Sequence, residues 1–408
     1  MSTTEVRYPY PGPVSNLDEY RQLWRDPQRR LADYRLFWSR RPYKEDFSIL
    51  VAGCGTSEAA MHAMRWPNAQ VTGIDINATN VRCTEDLKHL YKLANLQLYQ
   101  LPIDRVGELQ MTFDQIVCTG ALHHLGVLGD PDAGLAALRN VLKPDGAMRL
   151  IVYTPYGCAG IHMLHEFCKR VGIRATGEGI GQLIDALKAL PEGHPLKNLR
   201  RDVPDFRDEA VLAEALQHSQ DHAYSVPQLF EFLERGKMRF GRWVKQAPYS
   251  AHCGLVAQSP QAAHIAQLRT EEQFAAAEQI RGTMVRHSVI AYRDDASADS
   301  YRISFEGDGW LEYVPIRVPD TTCVQEQLTP GAVAMLTNQD HSYADLWMPI
   351  SSLEKQLLDA IDGRRSIEQI IEATMPFVRR QFQLEPAVRF FEQLWWHDQV
   401  VFDTARAQ

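Results

Sequence analysis

"ILVAGCGTSEAA", residues 49–60, is the stretch on which the fold turns. An apolar run enters Gly53-Cys54-Gly55-Thr56, and a segment of helical composition follows at once. A strand, a glycine turn and a helix in that order present backbone to a nucleotide-like ligand in doubly wound folds. Working outward, strand-like and helix-like segments alternate. "FSILVAG", "AQVTGIDIN", "LQLYQL", "FDQIVCTG" and "AMRLIVYT" read as strands, with helical stretches at "TSEAAMHAMRW", "NVRCTEDLKHLYKLA" and "PDAGLAALRNVL". Such alternation predicts a mostly parallel sheet covered on both faces.

The flanks read differently. Residues 1–45 open on "YPYPGP", an extended stretch, and continue into one or two short helices broken near Pro27. A helical insertion is expected over about 157–222, then the helix "SVPQLFEFLERG" and a late strand "MRFGRWVKQ" of the same sheet. The sheet is expected to be complete by about residue 257, and "AQSPQAAH" reads as a linker. "HSVIAYR", "YRISF", "WLEYVPIRV" and "AVAMLTN" lack intervening helices and predict a separate β-rich piece. The last sixty or so residues turn helical and close on a strand at "QVVFDT". The expected fold class is α/β: a Rossmann-like doubly wound, mostly parallel sheet, then a small β-rich segment and a helical or winged-helix-like C-terminal module. The expected domains are an N-terminal cap over 1–45, the sheet domain over 46–258, a linker helix and β-rich segment over 259–345, and a C-terminal module over 346–408.

Composition narrows the function classes. The net charge of -8 gives no basic field for nucleic acid. The cysteines are scattered without a C-x-x-C pair, which reads as reduced thiols in a cytoplasmic protein. The N-terminal stretch has no apolar core of the signal-peptide kind, and no run is long enough to span a membrane.

Three readings of the glycine turn compete. It can be a plain strand-to-helix turn. It can hold a dinucleotide, which wants a third glycine where Glu58 stands, and a carboxylate is a poor neighbour for a pyrophosphate. Or it can hold S-adenosylmethionine, which carries an adenosine but no phosphate. Gly53 and Gly55 would then allow close backbone approach, with Cys54 between them, while Thr56 and Ser57 offer donors to the carboxylate of the methionine end. Asp75 ends the second strand, and an acid there can accept from both ribose hydroxyls, with Ile76 beside it.

"AGCGT", "GIDIN", "FDQIVCTGALHHL" and "LKPDG" come in one order and spacing, and over roughly residues 46–155 they resemble the seven-stranded Rossmann-like S-adenosylmethionine-dependent methyltransferases. "GALHHL" and "YSVPQLFEFLERGKMRFGRWV" look most like bacterial members with a C-terminal regulatory domain, some of which modify protein lysines. There are departures. The family often has an acid where Val51 stands and Gly where Ser57 stands. "LPID" replaces the acid that often follows the third strand, leaving Asp104 or the Leu101–Ile103 backbone to meet the adenine.

The resemblance implies methyl transfer from S-adenosylmethionine to a nitrogen or oxygen. The acceptor would be a peptide or protein side chain, or a small-molecule natural-product intermediate. The alternative is a non-catalytic S-adenosylmethionine-binding regulator or scaffold. Cofactor contacts are expected from residues 53–57, Asp75, Ile76, Ile103 and Thr119, with Tyr8 and Tyr10 as a lid. Acceptor-facing candidates are His123 or His124 as base, and Tyr153 and Tyr156 as a cage; each also has a plain packing reading. His218, Asp221 and His222 have a spacing that on a helix could bind metal, but a loop is expected there, so no metal is predicted and Asp221 or Tyr224 is read as acceptor-facing. "IDGRRSIEQI" and "QLWWHDQVVF" weakly resemble PqqD-type leader-peptide-binding domains. The expected partners are the methyl acceptor, with no nucleic acid and no membrane; a homodimer is left open.

Overall fold

The computed structural model of the chain describes residues 12, 14–122, 130–173, 177–197, 222–297, 301–326, 328–377 and 380–406. The chain divides into two compact units, each assembled from three segments. The first comprises Met1–Arg25, Glu45–Phe240 and Gly282–Asp294; the second Asp26–Lys44, Gly241–Arg281 and Asp295–Gln408.

The first unit is built on a sheet whose strands are β1 (Ser48–Ala52), β2 (Gln70–Asp75), β3 (Leu96–Gln100), β4 (Phe113–Thr119), β5 (Leu142–Tyr153), β6 (Met238–Trp243) and β7 (Arg286–Arg293). Their order is β3-β2-β1-β4-β5-β7-β6. The pairs from β3 through β5 are parallel, and β7 runs antiparallel to β5. β1 lies centrally, and Ile49, Leu50, Val51 and Ala52 are fully buried, as a strand covered on both faces requires. Helix α3 (Glu58–Arg65, after α1 at Asp18–Leu23 and α2 at Pro27–Phe37) packs on the sheet through Ala59, Ala60 and Ala63. The approach is so close that a Cβ on Gly73 would lie 2.8 Å from that of Ala59. At the opposite end of the strands, the buried Asp114 carboxylate accepts from the Ser48 amide and hydroxyl and from Lys143 at 2.8–2.9 Å. The "FD" and "LKPDG" motifs therefore meet in a structural clasp at the edge away from the ligand crevice.

Two readings change here. "HSVIAYR" does not begin a separate β-rich piece: it is β7, inserted between β5 and β6. The sheet is therefore not complete at residue 257, and the expected boundary at 258 cuts through it. "YRISF" is not a strand; Ile303 and Phe305 instead pack on the core of the second unit, so apolar alternation arises there without a ladder.

That core gathers Trp310, Leu336, Met348, Ile367, Phe390 and Phe402. β8 (Val314–Arg317) pairs with β12 (Val400–Asp403), and β9 (Thr321–Val324), β10 (Ala334–Asn338) and β11 (Met348–Ile350) form an antiparallel sheet. The pairing of β10 with β11 runs across the expected division at 345/346. Helices Ser352–Asp359 and Ile367–Thr374 each start with a capping box, Ser351 with Glu354 and Ser366 with Gln369. α2, expected in an N-terminal cap, belongs to this unit: Arg29 forms a two-pronged ion pair with Asp320, and Arg35 bonds Asp403 at 2.6 Å.

Candidate active site

The strand order reverses between β1 and β4, and in open α/β sheets the crevice beyond the carboxyl ends at that point takes the ligand. The glycine turn sits there. Gly53 and Gly55 have φ of 71° and 54°, in the left-handed region. A Cβ on Gly53 would stand 2.4 Å from that of Ala121, so the loops after β1 and β4 can touch only because residue 53 is glycine. The turn is pinned from β2: the Gly53 and Cys54 amides both donate to the Ile74 carbonyl at 2.9 Å. Gly55 donates to Asp75 Oδ2 at 2.9 Å, and its carbonyl accepts from Thr84 Oγ1 at 3.0 Å.

Asp75 ends β2 as expected and is 7% exposed. Its carboxylate also accepts from the Asn77 amide at 2.8 Å and from Asn80 Nδ2 at 3.3 Å. A carboxylate offers about four acceptor positions. Three are taken, which leaves room for one ribose hydroxyl in this arrangement, where the sequence led us to expect two. Burial pushes the Asp75 carboxyl above its ordinary range, opposed by those three bonds.

Thr56 and Ser57, expected to offer donors to a carboxylate, are both buried, and the Thr56 hydroxyl donates to the Gly12 carbonyl at 3.5 Å. Burial drives the Cys54 thiol far above its usual range and Cys118 up to about 12, so both stay neutral. Ile76 projects an apolar side chain that is 56% exposed at the same edge, where an adenine can lie. Ile103 is buried, and the Leu101 amide is already spent on the Asp75 carbonyl at 3.0 Å.

At the carboxyl ends of the next two strands, Thr119 ends β4 and Tyr153 ends β5. Tyr153 pairs in register with Arg286 at the start of β7, whose guanidinium lies 6.0 Å from the Tyr153 ring. Tyr156 is 43% exposed. Tyr224 is buried between His222 and Phe232, and burial pushes its phenol up to about 12. The Thr154 hydroxyl donates to the Met284 carbonyl, against which Gly157 also packs. Met284 and Arg286 were missed because β7 was read as part of another piece. His123, His124, Tyr8, Tyr10, His218 and Asp221 lie outside the described residues.

Glu58 is a residue whose surroundings the sequence hid. It entered only as an objection to pyrophosphate, yet it opens α3 and accepts from Thr119 Oγ1 at 2.7 Å. Burial raises its carboxyl, against the bond from Thr119 and the nearby Arg149 and Arg65. A raised carboxyl keeps its proton longer in the folded than in the unfolded chain. Its contribution to stability is therefore present below the ordinary carboxyl range, about 4.3, and is lost as pH rises through the raised value. Melting wild type and Glu58→Gln without cofactor across pH 4–8 is expected to show wild type losing ground to the variant as pH rises. Two parallel melting curves would contradict this.

Residues 50–148 match the profile of the family described as "Methyltransferase domain". Over this stretch the chain is similar to methyltransferase domains. The residues present fit S-adenosylmethionine as a cofactor: a glycine turn open to close approach, an apolar edge at Ile76, and acceptor capacity at Asp75 and Glu58. The chain is 30% identical over 249 residues to the uncharacterized protein syc1184_c of Synechococcus sp., covering 57% of each. It thus spans little more than half the length of that curated relative. In fold it is similar to PKMT2 from Rickettsia typhi, solved alone and with AdoHcy. The TM-score is 0.63 in both cases, with 15–16% identity, over 93% of this chain and 75% of that one. The match to the methyltransferase domain stops at residue 148, yet β5, β6 and β7 continue the same sheet beyond it. Among the described residues no group of three or more side chains could hold a metal ion, and no helix is long and apolar enough to cross a membrane.

Proposed function

We propose that the chain is a bacterial, cytoplasmic methyltransferase that moves a methyl group from S-adenosylmethionine to a nitrogen or oxygen of an acceptor. The acceptor class we favour is a peptide or protein side chain, with a small natural-product intermediate as the next choice. The observation that carries the reading is the glycine turn at the β1/β4 switch point, pinned to β2 through Asp75.

The cofactor, when bound, supplies a methyl group already activated on a positive sulfonium. The protein's work is then to hold, align and keep dry. Alignment alone is worth about 7–11 kcal/mol of barrier. Gly53, Gly55 and Asp75 hold the adenosine end, with Ile76 against the base. Tyr153 and Tyr156 border the acceptor's approach, with Tyr224 held in the wall behind them. With its phenol pushed up to about 12 by burial, Tyr224 keeps its proton. Proton removal from the acceptor falls to His123 or His124 in this reading. The second unit recruits the acceptor.

Binding of S-adenosylmethionine is expected in the micromolar range, about -8 kcal/mol. Incubating the protein with labelled S-adenosylmethionine and cell extract, followed by mass spectrometry, is expected to yield a labelled acceptor and S-adenosylhomocysteine that forms only when extract is present. Cofactor binding without acceptor-dependent turnover across extracts would favour a non-catalytic S-adenosylmethionine-binding scaffold instead.

A further inference from the structure

Glu58 and Thr119 are sixty-one positions apart, yet they meet across the loops that follow β1 and β4, the two strands between which the sheet reverses. We propose that Glu58, held in place by Thr119, receives the ammonium of the cofactor's amino-acid end. This rests on the reading of the crevice as an S-adenosylmethionine pocket and assigns a contact within it.

The argument begins with the ligand's charge. Its amino-acid end carries one ammonium and one carboxylate, and an ammonium wants an anion with unclaimed acceptor positions. Two carboxylates adjoin the glycine turn. Asp75 is committed to Gly55, Asn77 and Asn80. Glu58, half-buried, accepts one hydrogen bond among the described residues, from Thr119 to Oε1, which leaves Oε2 open. A hydroxyl has a single proton, and Thr119 directs it at Glu58. The bond therefore fixes the carboxylate while leaving most of its acceptor capacity unused.

The charged and titratable groups around Glu58 lie on α3 and β5, in the glycine turn and on β4. Arg65, on the same helix, stacks its guanidinium 3.9 Å from the Trp24 ring and donates to Tyr20 Oη at 3.0 Å. His62, one turn along, is buried and kept neutral, and its Nδ1 has no partner among the described residues. Arg149 on β5 is near enough to be felt. The thiols of Cys54 and Cys118 stay protonated. An acid in the first turn of a helix also favours the macrodipole. That role accounts for a carboxylate at residue 58 but not for its tie to β4.

The test separates the two roles by choice of ligand. S-adenosylhomocysteine carries the ammonium, whereas methylthioadenosine keeps the adenosine and thioether but lacks the amino-acid end. Calorimetric titration of the full chain compares wild type, Glu58→Gln and Thr119→Val. The amide of the Glu58→Gln variant would still accept from Thr119 but carry no charge. Glu58→Gln is expected to weaken S-adenosylhomocysteine about 10- to 100-fold, the range of a charged hydrogen bond, and to leave methylthioadenosine within about twofold. Thr119→Val is expected to show the same selectivity with a smaller loss, about 3- to 10-fold, because the carboxylate remains but is no longer held. Equal losses for both ligands would reduce Glu58 to a part of the turn, and unchanged S-adenosylhomocysteine affinity would remove it from the site; either result overturns the inference. Wild type that binds neither ligand would instead sink the cofactor reading itself. Circular dichroism on each variant accompanies the titrations, and Thr119→Val decides the matter if Glu58→Gln does not fold.

Discussion

A chain ended after residue 260 is expected to lose cooperative folding and cofactor binding together. Such a chain lacks β7, whose residues Arg286 to Tyr292 pair with Tyr153 to Ala147 of β5. Val289, Ile290 and Ala291 are fully buried and Tyr292 is 4% exposed. Burial of Val289, Ile290 and Tyr292 contributes about 5–9 kcal/mol at about 1.5–3 kcal/mol for each large side chain. The whole stability of a domain is about 5–15 kcal/mol. Removing the strand also leaves the antiparallel edge of β5 without its ladder, and β6 without its neighbour. Thermal melting by circular dichroism, with titration of S-adenosylhomocysteine on the same preparation, checks this. A sharp melt with binding near that of the full chain would show that β7 is dispensable. The sequence had pointed the other way, to a core already complete by about 257.

Asp75→Ala is expected to weaken S-adenosylhomocysteine about 100-fold and to lower the melting temperature by several degrees. The binding loss has two sources. A charged acceptor for the ribose is removed, worth about 1.5–3 kcal/mol. The glycine turn also loses the tie that holds the Gly55 amide. The stability loss follows because the substitution orphans the Gly55 amide, the Asn77 amide and Asn80 Nδ2. An unsatisfied buried donor costs about 1–3 kcal/mol, and relaxation of the half-buried Asn77 end moderates the sum. Titration calorimetry and scanning fluorimetry on one preparation read both quantities. A folded variant with wild-type affinity would exclude Asp75 from the site, whereas a lower melting point with intact affinity would leave it a purely structural clasp.

What could be read from the sequence was what is decided locally. β1 and β2 end in a glycine turn and an acid, and an apolar run of a central strand looks the same in any doubly wound sheet. α3 and α4 (Ala78–Tyr91) match the helical stretches "TSEAAMHAMRW" and "NVRCTEDLKHLYKLA", although α4 starts two residues earlier than read, behind an Asn77 cap whose side chain accepts from the Thr79 amide. β7 was misplaced because its partner lies more than a hundred residues upstream. Nothing in "HSVIAYR" distinguishes an inserted antiparallel strand from the first strand of a new sheet. "YRISF" failed for the opposite reason: alternation measures which side chains are buried, and Ile303 and Phe305 are partly buried against a core without joining a strand ladder. At the candidate site, type and spacing singled out the glycines and Asp75, and the structure places them together at the β1/β4 switch point. The contact of the Thr56 hydroxyl with Gly12 was not legible, because only the fold brings the two together. Glu58 was in view but unassigned, since its bond to Thr119 joins residues that only the strand order brings together.

The interleaving of the two units sets a timetable for synthesis. The chain completes β6 at Trp243 and reaches the end of β7 at Arg293 about fifty residues later. At roughly 5–20 residues per second, the nascent sheet waits about 3–10 s for the strand that belongs between two already made. Through that interval β5, twelve residues long, presents a bare row of amides and carbonyls beside apolar side chains, the kind of margin on which chains stick to one another. A ribosome that pauses between codons 243 and 293 would lengthen the exposure. Yield in a heterologous host should therefore respond to elongation rate and to holdase chaperones more than the stability of the finished protein would suggest.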